Sequence, residues 1–157
     1  MKRLDMRFIA HRGNIVGKDS SKENHPRYIL GAIEKSYDVE IDLWVISGEL
    51  YLGHDEESYT ISKEFLLDSK DYLWVHAKNK EALEYADALN LNCFFHTNEK
   101  YVYTKHGRIW VYPGDELMAG SVAVLPETVV YRIEDLRLCY AICSDNIKKY
   151  KEIINEL

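Results

Sequence analysis

Short strand-like runs alternate with helix-like segments along this chain, and this alternation limits the fold more than any other feature. The strand-like runs are apolar or β-branched, and the other segments repeat apolar residues at helical spacing. The predicted strands are Arg7–Ala10, Asp38–Trp44, Glu49–Leu52, Tyr72–His76, Asn92–Phe95, Arg108–Tyr112, Ser121–Leu125 and Leu138–Cys143, and the predicted helices are Asn24–Lys35, Ser62–Leu67, Lys80–Leu89 and Asn146–Leu157. Because helices join parallel strands, the order predicts an α/β fold with a mostly parallel sheet.

The length limits how such a sheet can close. An eight-unit barrel of strands and helices takes about 250 residues, and this chain has 157. We therefore expect a single domain over residues 1–157, built as a shortened barrel in which loops replace several helices. A smaller open sheet is the alternative.

Charge and composition exclude several function classes. The net charge is -6, whereas a general nucleic-acid binder needs a basic face. An anionic ligand must therefore meet a local cluster of cations. No run is apolar and long enough for a signal peptide or a membrane span. The three cysteines form no CxxC pair, which predicts buried, reduced thiols and a cytoplasmic protein.

Polar side chains recur where the predicted strands end. In parallel α/β folds, ligands bind outside the carboxyl ends of the strands. Four of the six histidines fall at such ends, which favours a site there. The residues in question are His11, Arg12 and Gly13, then Glu40 and Asp42, His54 and Asp55, His76 and Lys78, His96, and finally Ser144 and Asp145.

The tripeptide Glu40-Ile41-Asp42 suggests a metal site. Residues i and i+2 of a strand point to the same face, so the two carboxylates should project together. A divalent cation relieves their repulsion, and such hard oxygen ligands suit Mg²⁺ or Ca²⁺. A nearby histidine moves the preference toward Mn²⁺ or Zn²⁺. The alternative is a solvated edge strand with two charged side chains.

Four motifs resemble those of the glycerophosphodiester phosphodiesterase family. They are His-Arg-Gly at residues 11–13, Glu-Asn at 23–24, Glu-x-Asp at 40–42 and His-Asp at 54–55, in the family's order and near its spacing. The match covers residues 8–55, about a third of the chain. The resemblance implies a TIM-like barrel of the phospholipase-C-like phosphodiesterase type.

The resemblance also implies roles for individual residues. His11 and His54 are similar to the family's general acid and base, and Arg12 to its phosphate ligand. Glu40 and Asp42 resemble its metal ligands. A later Glu-x-Lys motif corresponds to His76-Ala77-Lys78, so that Lys78 matches a phosphate-binding lysine while a histidine replaces a metal-binding glutamate. Imidazole is itself a metal ligand, so His76 still fits the set.

Three further residues have both a site role and a plainer one. The resemblance puts Glu23 near the metal, and the alternative is a surface charge. His96 is read as structural and Asp145 as the N-cap of the last helix. Asn24 could likewise cap the helix that contains Pro26.

These residues predict phosphodiester cleavage. Arg12, Lys78 and a cation can neutralise the phosphate, and two imidazoles with pKa values near neutrality can exchange protons with the reacting oxygens. We therefore expect a metal-dependent hydrolase acting on a small glycerophosphodiester-like or sugar-phosphate diester. A phosphate-binding module without turnover and a lyase that stops at a cyclic phosphate are the alternatives. The sequence leaves the oligomeric state open, and a second copy covering the strand edges of a short barrel is one outcome.

Overall fold

The elements of the chain follow the predicted alternation. In the computed structural model, which describes residues 5–156, the strands are β1 (Arg7–His11), β2 (Asp38–Ile46), β3 (Glu49–Leu52), β4 (Tyr59–Ile61), β5 (Leu73–Ala77), β6 (Cys93–Phe94), β7 (Tyr101–Tyr103), β8 (Ile109–Val111), β9 (Val122–Val124) and β10 (Ala141–Ser144). The helices are α1 (Pro26–Glu34), α2 (Lys63–Asp68), α3 (Lys80–Ala88), α4 (Ile133–Arg137) and α5 (Ile147–Asn155), with two short 3-10 turns at Lys70–Tyr72 and Pro126–Thr128.

All ten strands belong to one mixed sheet. Seven parallel strands follow one another in the order β6-β5-β2-β1-β10-β9-β8. Three antiparallel strands are attached to these seven. β7 forms a hairpin with β8, β3 pairs with the carboxyl-terminal half of β2, and β4 pairs with β3. The carboxyl ends of the parallel strands therefore share one edge, which we call the carboxyl edge.

The period of two along each strand separates two packed faces. On β2, Val39, Ile41 and Leu43 belong to a core shared with the helices, in which Ile29 of α1 and Ile147 of α5 are fully buried. Asp38, Glu40 and Asp42 occupy the alternate positions and point to the opposite face of the sheet, which we call the inner face. This division is why a strand of nine residues can be almost wholly buried and still present carboxylates to one side.

The inner face has an aromatic core of its own. Trp74 of β5 and Phe94 of β6 share this core with Trp110 of β8 and Val122 of β9. The ring centroids of Phe94 and Trp110 are 4.7 Å apart, although their strands lie near opposite ends of the hydrogen-bonded path. The sheet is therefore strongly curled. Within residues 5–156, no strand ladder closes it between β6 and either strand of the β7–β8 hairpin.

The prediction of a mostly parallel α/β sheet is confirmed, and its errors fall on short elements. Strands β4 and β7 and helix α4 were not predicted from the sequence. The last strand was predicted from Leu138, but Leu138 is the C-cap of helix α4 and the strand begins at Ala141. The last helix was predicted to run from Asn146 to residue 157, and that final residue lies outside the described range.

The cysteine prediction is confirmed for the thiols, since Cys93, Cys139 and Cys143 are all buried and free. No helix within residues 5–156 is both long and apolar enough to cross a membrane.

Candidate functional site at the carboxyl edge

Strand register brings the predicted histidines beside the predicted carboxylates. His11 at the end of β1 pairs with Glu40 of β2, and Asp42 pairs with His76 of β5. Since neighbouring parallel strands lie about 4.8 Å apart, each imidazole begins within reach of a carboxylate. Residues separated by tens of positions in the chain thus converge on one cluster.

The turn after β1 directs Arg12 over this cluster. Arg12 has a left-handed backbone with φ 54°, and Gly13 follows with φ 91°. A Cβ atom on Gly13 would come within 2.9 Å of the Tyr28 ring, so only glycine fits there without a shift. A non-glycine residue in this conformation is strained, and such strain is often found at functional sites.

Asp42 is the centre of the cluster and is fully buried. Its Oδ2 atom accepts a hydrogen bond of 2.9 Å from Nδ2 of Asn24 and lies 3.0 Å from Nε of Arg12. Its Oδ1 atom is 3.1 Å from Nδ1 of His76 and 3.9 Å from Nζ of Lys78. Asn24 adopts a left-handed backbone, with φ 63°, and its Oδ1 accepts from the Asp42 backbone N–H. Asn24 therefore holds Asp42 and does not cap α1.

The neighbouring carboxyl groups of Glu40 and Asp42 differ in protonation. Burial acts to raise the pKa of Asp42, but the neighbouring histidines and Arg12 hold that pKa well below its usual value. Burial first, and then repulsion by Asp42, raise the pKa of Glu40 to about 7. Near neutral pH the pair therefore carries a single firm negative charge on Asp42 and a readily lost proton on Glu40.

His11 is held by a carboxylate from the far end of the chain. Nδ1 of His11 is 2.7 Å from Oδ1 of Asp145, and Asn14 donates to the same oxygen from 2.9 Å. Nε2 of His11 then faces Glu40, with 3.6 Å to its Oε2 atom. Burial lowers the pKa of His11, but Asp145 and Glu40 outweigh it and the net shift is upward. Asp145 was predicted to be an N-cap. That prediction is wrong, because Asn146 occupies the N-cap position of α5.

His54 approaches Asp42 from the loop after β3. Its Nδ1 atom lies 2.6 Å from Nη2 of Arg12 and 3.6 Å from Oδ2 of Asp42. Because an arginine N–H group only donates, Nδ1 of His54 is the acceptor in its contact with Arg12. The loop is anchored by Trp44, whose indole N–H donates to the carbonyl of Gly53 from 2.7 Å.

His76 stands in an aromatic stack. Its ring lies 4.6 Å from that of His96 and 5.2 Å from that of Phe94, and His96 in turn contacts Tyr112 at 4.5 Å. Burial lowers the pKa of His76 although Asp42 opposes it, and burial together with His76 lowers the pKa of His96 to about 4. Both imidazoles are therefore neutral near pH 7. His96 contacts His76 and not the carboxylates, which agrees with a structural reading.

Glu23 lies against Arg12 on the outer side of the cluster. Its Oε2 atom is 3.3 Å from Nη1 of Arg12, and only 7% of its side chain is exposed. Glu23 is thus a buried partner of the guanidinium and not a free surface charge.

Two groups of side chains at this edge could hold a metal ion. Glu40, Asp42 and His76 each offer a ligand atom, and these atoms lie within 4.8 Å of one another; His11, Glu23 and Asp145 form a second such group. Oε2 of Glu40 and Oδ1 of Asp42 are buried without a hydrogen bond, which is costly unless a cation meets them. In the second group, Oδ1 of Asp145 is already engaged by His11 and Asn14. The first group therefore fits a divalent cation better.

Every residue that the sequence singled out lies at the carboxyl edge, but the sequence missed several partners. Asn14 was not predicted as a site residue, although Tyr28 donates to its Oδ1 atom and its Nδ2 atom donates to Asp145. Asn24 was considered only as a cap. Tyr112 was read only as the end of a strand. Among these missed partners, the sequence offered a signal only for Asn14, a polar residue that directly follows the His-Arg-Gly motif.

Comparison of the chain with models of known protein families, with curated proteins and with solved structures found no match. A function for the carboxyl edge is therefore inferred from its side-chain geometry and from its motifs.

Proposed function

We propose that this protein is a metal-dependent phosphodiester hydrolase of the glycerophosphodiester phosphodiesterase type, acting on a small glycerophosphodiester-like or sugar-phosphate diester. One observation carries the proposal: two histidines approach one carboxylate pair from different elements. His11 reaches Glu40 from β1, and His54 reaches Asp42 from the loop after β3, each at 3.6 Å. A site of this form suits a reaction in which one group loses a proton and another gains one.

The proposal includes the fold, a short TIM-like barrel. The curl of the sheet supports it, since Trp74 of β5 and Trp110 of β8 have ring centroids 6.0 Å apart across the inner face. The polar cluster at the carboxyl ends and the apolar layer beneath it also match the way such barrels divide function from stability.

Glu40, Asp42 and His76 would hold the cation. Two carboxylate oxygens favour Mg²⁺, Ca²⁺ or Mn²⁺, and the imidazole makes Zn²⁺ a further candidate. A bound cation would neutralise phosphate charge in the transition state. Because Glu40 is about half protonated near pH 7, its carboxyl group must release a proton when it becomes a ligand.

Arg12 and Lys78 would bind the phosphate. Both cations flank Asp42, and 14% of the Arg12 side chain and 17% of the Lys78 side chain are exposed. Both can therefore reach an anion at the mouth of the site. The planar guanidinium suits two phosphate oxygens at once.

The two histidines would divide the proton transfers. Asp145 and Glu40 favour the protonated form of His11, so His11 donates a proton from Nε2 to the leaving oxygen. His54 is the base, and its Nδ1 lone pair is occupied by Arg12 in the free protein. When Arg12 turns to the phosphate, that lone pair becomes available for the proton of the attacking oxygen.

The test is metal-dependent turnover of bis(4-nitrophenyl) phosphate. The wild-type protein should release nitrophenolate with Mg²⁺, Mn²⁺, Ca²⁺ or Zn²⁺ and lose this activity with a chelator. His11→Gln and His54→Gln should each lower the rate by about 10² to 10⁴. His106→Gln is the matched control, because His106 is exposed and lies away from the carboxyl edge. Turnover that is unchanged in both site variants would contradict the proposal.

The product separates a hydrolase from a lyase. With a glycerophosphodiester substrate, a hydroxyl group next to the phosphate can attack first and give a cyclic phosphate, which water then opens. Phosphorus NMR should show a phosphate monoester as the final product. A cyclic phosphate that persists after the substrate is consumed would overturn the hydrolase assignment in favour of the lyase.

A further inference from the structure

A cavity of about 650 Å³ lies at the opposite end of the sheet from the carboxyl edge. Its lining includes Arg7 and Phe8, which begin β1, whereas His11 ends that strand. A four-residue separation corresponds to about 13 Å along a strand. The cavity is therefore separate from the proposed phosphodiesterase site, and its volume is typical of sites that bind small molecules.

Arg137 lines this cavity and is the least satisfied cation of the described chain. Its Nε and Nη2 atoms are buried and have no hydrogen-bond partner among residues 5–156. Polar nitrogen atoms that are buried without a hydrogen-bond partner are costly, although the Arg137 residue as a whole is half-buried. Arg7, in the same lining, differs, since Asp38 binds it with two contacts of 2.7 and 2.9 Å.

A second cation in the lining also lacks a carboxylate. The ammonium group of Lys151 lies 4.9 Å from the centre of the Tyr37 ring. In the part of the chain that is described, neither Lys151 nor Arg137 forms an ion pair. Two unneutralised cations therefore share one cavity in a protein whose net charge is -6.

The rest of the lining is partly apolar. Phe8, Ile33 and Ile154 contribute side chains to the same cavity as the two cations. Inorganic phosphate would use the cations and leave this apolar surface exposed to water. An anion with a hydrocarbon body would use both.

We propose that this cavity is a second binding site, specific for a small organic anion. The carboxylate or phosphate group of the ligand is bound by Arg137 and Lys151, and its apolar body packs on Phe8, Ile33 and Ile154. This site is independent of the proposed hydrolase activity, because it shares no residue with the carboxyl edge.

Backbone-amide NMR titrations test the proposal with three probes. Hexanoate carries a carboxylate, hexyl phosphate carries a phosphate, and hexanol has the same chain without a charge. At least one of the anions should give saturable shifts around residues 5–8 and 133–139, and hexanol should bind at least tenfold more weakly. The tighter anion identifies the charged group. Equal binding of hexanol, shifts confined to His11 and Arg12, or no saturable shift would overturn the proposal.

Variants assign the binding to Arg137. Arg137→Met should weaken anion binding at least tenfold, and Lys151→Met should weaken it about threefold. Arg132→Met is the matched control, since Arg132 is exposed at the other end of α4 and pairs with Asp135; it should bind like wild type. The melting temperature of Arg137→Met without ligand should equal or exceed that of wild type, because the variant removes two nitrogen atoms that are buried without a partner. Unchanged affinity in Arg137→Met would overturn the assignment.

Discussion

Asp38 and Asp42 lie on the same face of β2, and their surroundings differ in how completely the carboxylate is satisfied. Both oxygens of Asp38 accept hydrogen bonds, from Arg7 and from the indole N–H of Trp74. Further along the strand, Oδ1 of Asp42 and Oε2 of Glu40 are buried without one. A satisfied buried acid is part of the framework, whereas an unsatisfied acidic pair is a candidate for a ligand.

The largest expected effect separates these two aspartates. Asp42→Asn should abolish Mn²⁺ binding at the site and lower turnover of bis(4-nitrophenyl) phosphate by about 10³-fold, because the bound cation supplies several kcal/mol of transition-state stabilisation. Asp38→Asn should leave Mn²⁺ affinity unchanged. Electron paramagnetic resonance of Mn²⁺ measures both variants. Equal losses of Mn²⁺ affinity in Asp42→Asn and Asp38→Asn would contradict the assignment of the metal site to Asp42.

Glu40 should destabilise the metal-free protein at high pH. Its pKa is about 7 in the folded protein against 4.5 for the free group, so folding takes up a proton between these values. The contribution of Glu40 to stability is therefore fully present below pH 4.5 and is lost as the pH rises through 7, a change of about 3 kcal/mol. Glu40→Gln should remove this loss.

Urea denaturation of chelator-treated protein at pH 5 and pH 8 measures the difference. At pH 8 the Glu40→Gln variant should be the more stable protein, and at pH 5 the two should be similar. A wild-type protein that is equally stable at both pH values would contradict the raised pKa.

Asp38→Asn should lower the free energy of unfolding, whereas Glu40→Gln should raise it at pH 8. Asp38→Asn removes the negative charge and replaces one of the two acceptor oxygens with an NH₂ group that cannot accept from Arg7 or Trp74. Part of a buried network is then unsatisfied, so unfolding should become easier by about 1 to 2 kcal/mol. The effect stays modest because 42% of the Arg7 side chain is exposed and solvent screens its charge. Urea denaturation at pH 7 measures it, and a stability equal to wild type would show that the pair contributes nothing.

The smallest expected effect concerns the orientation of His11. Asp145→Asn should lower the pKa of His11, because the hydrogen bond to the charged form is weakened. Asp55→Asn is the control at the other histidine, since Asp55 is 93% exposed at 3.5 Å from His54 and such pairs contribute little. An NMR titration of the imidazole protons measures both, and equal shifts in the two variants would contradict the role of Asp145.

The strand ends were predictable because they depend on local rules. Alternation along β2 separates Glu40 and Asp42 from the apolar positions, and parallel pairing brings strand ends to one edge. The partners of these residues were not predictable in the same way. Asn24 has a left-handed backbone conformation, which no sequence pattern predicts. His11 contacts Asp145, which lies 134 residues away in the chain.

The missed elements share a physical reason. β4 and β7 have three residues each and α4 has five, which is too short for an apolar period to appear. They are formed by their neighbours: β4 pairs with β3, and β7 pairs with β8. Tertiary pairing outweighs local propensity in such segments.

The most direct test of the central claim is a crystal structure of the protein grown with Mn²⁺, with diffraction measured near the manganese absorption edge. The account predicts one strong anomalous peak among Glu40, Asp42 and His76, and no such peak in Asp42→Asn. A peak among His11, Glu23 and Asp145 instead, or no peak at the carboxyl edge, would contradict it.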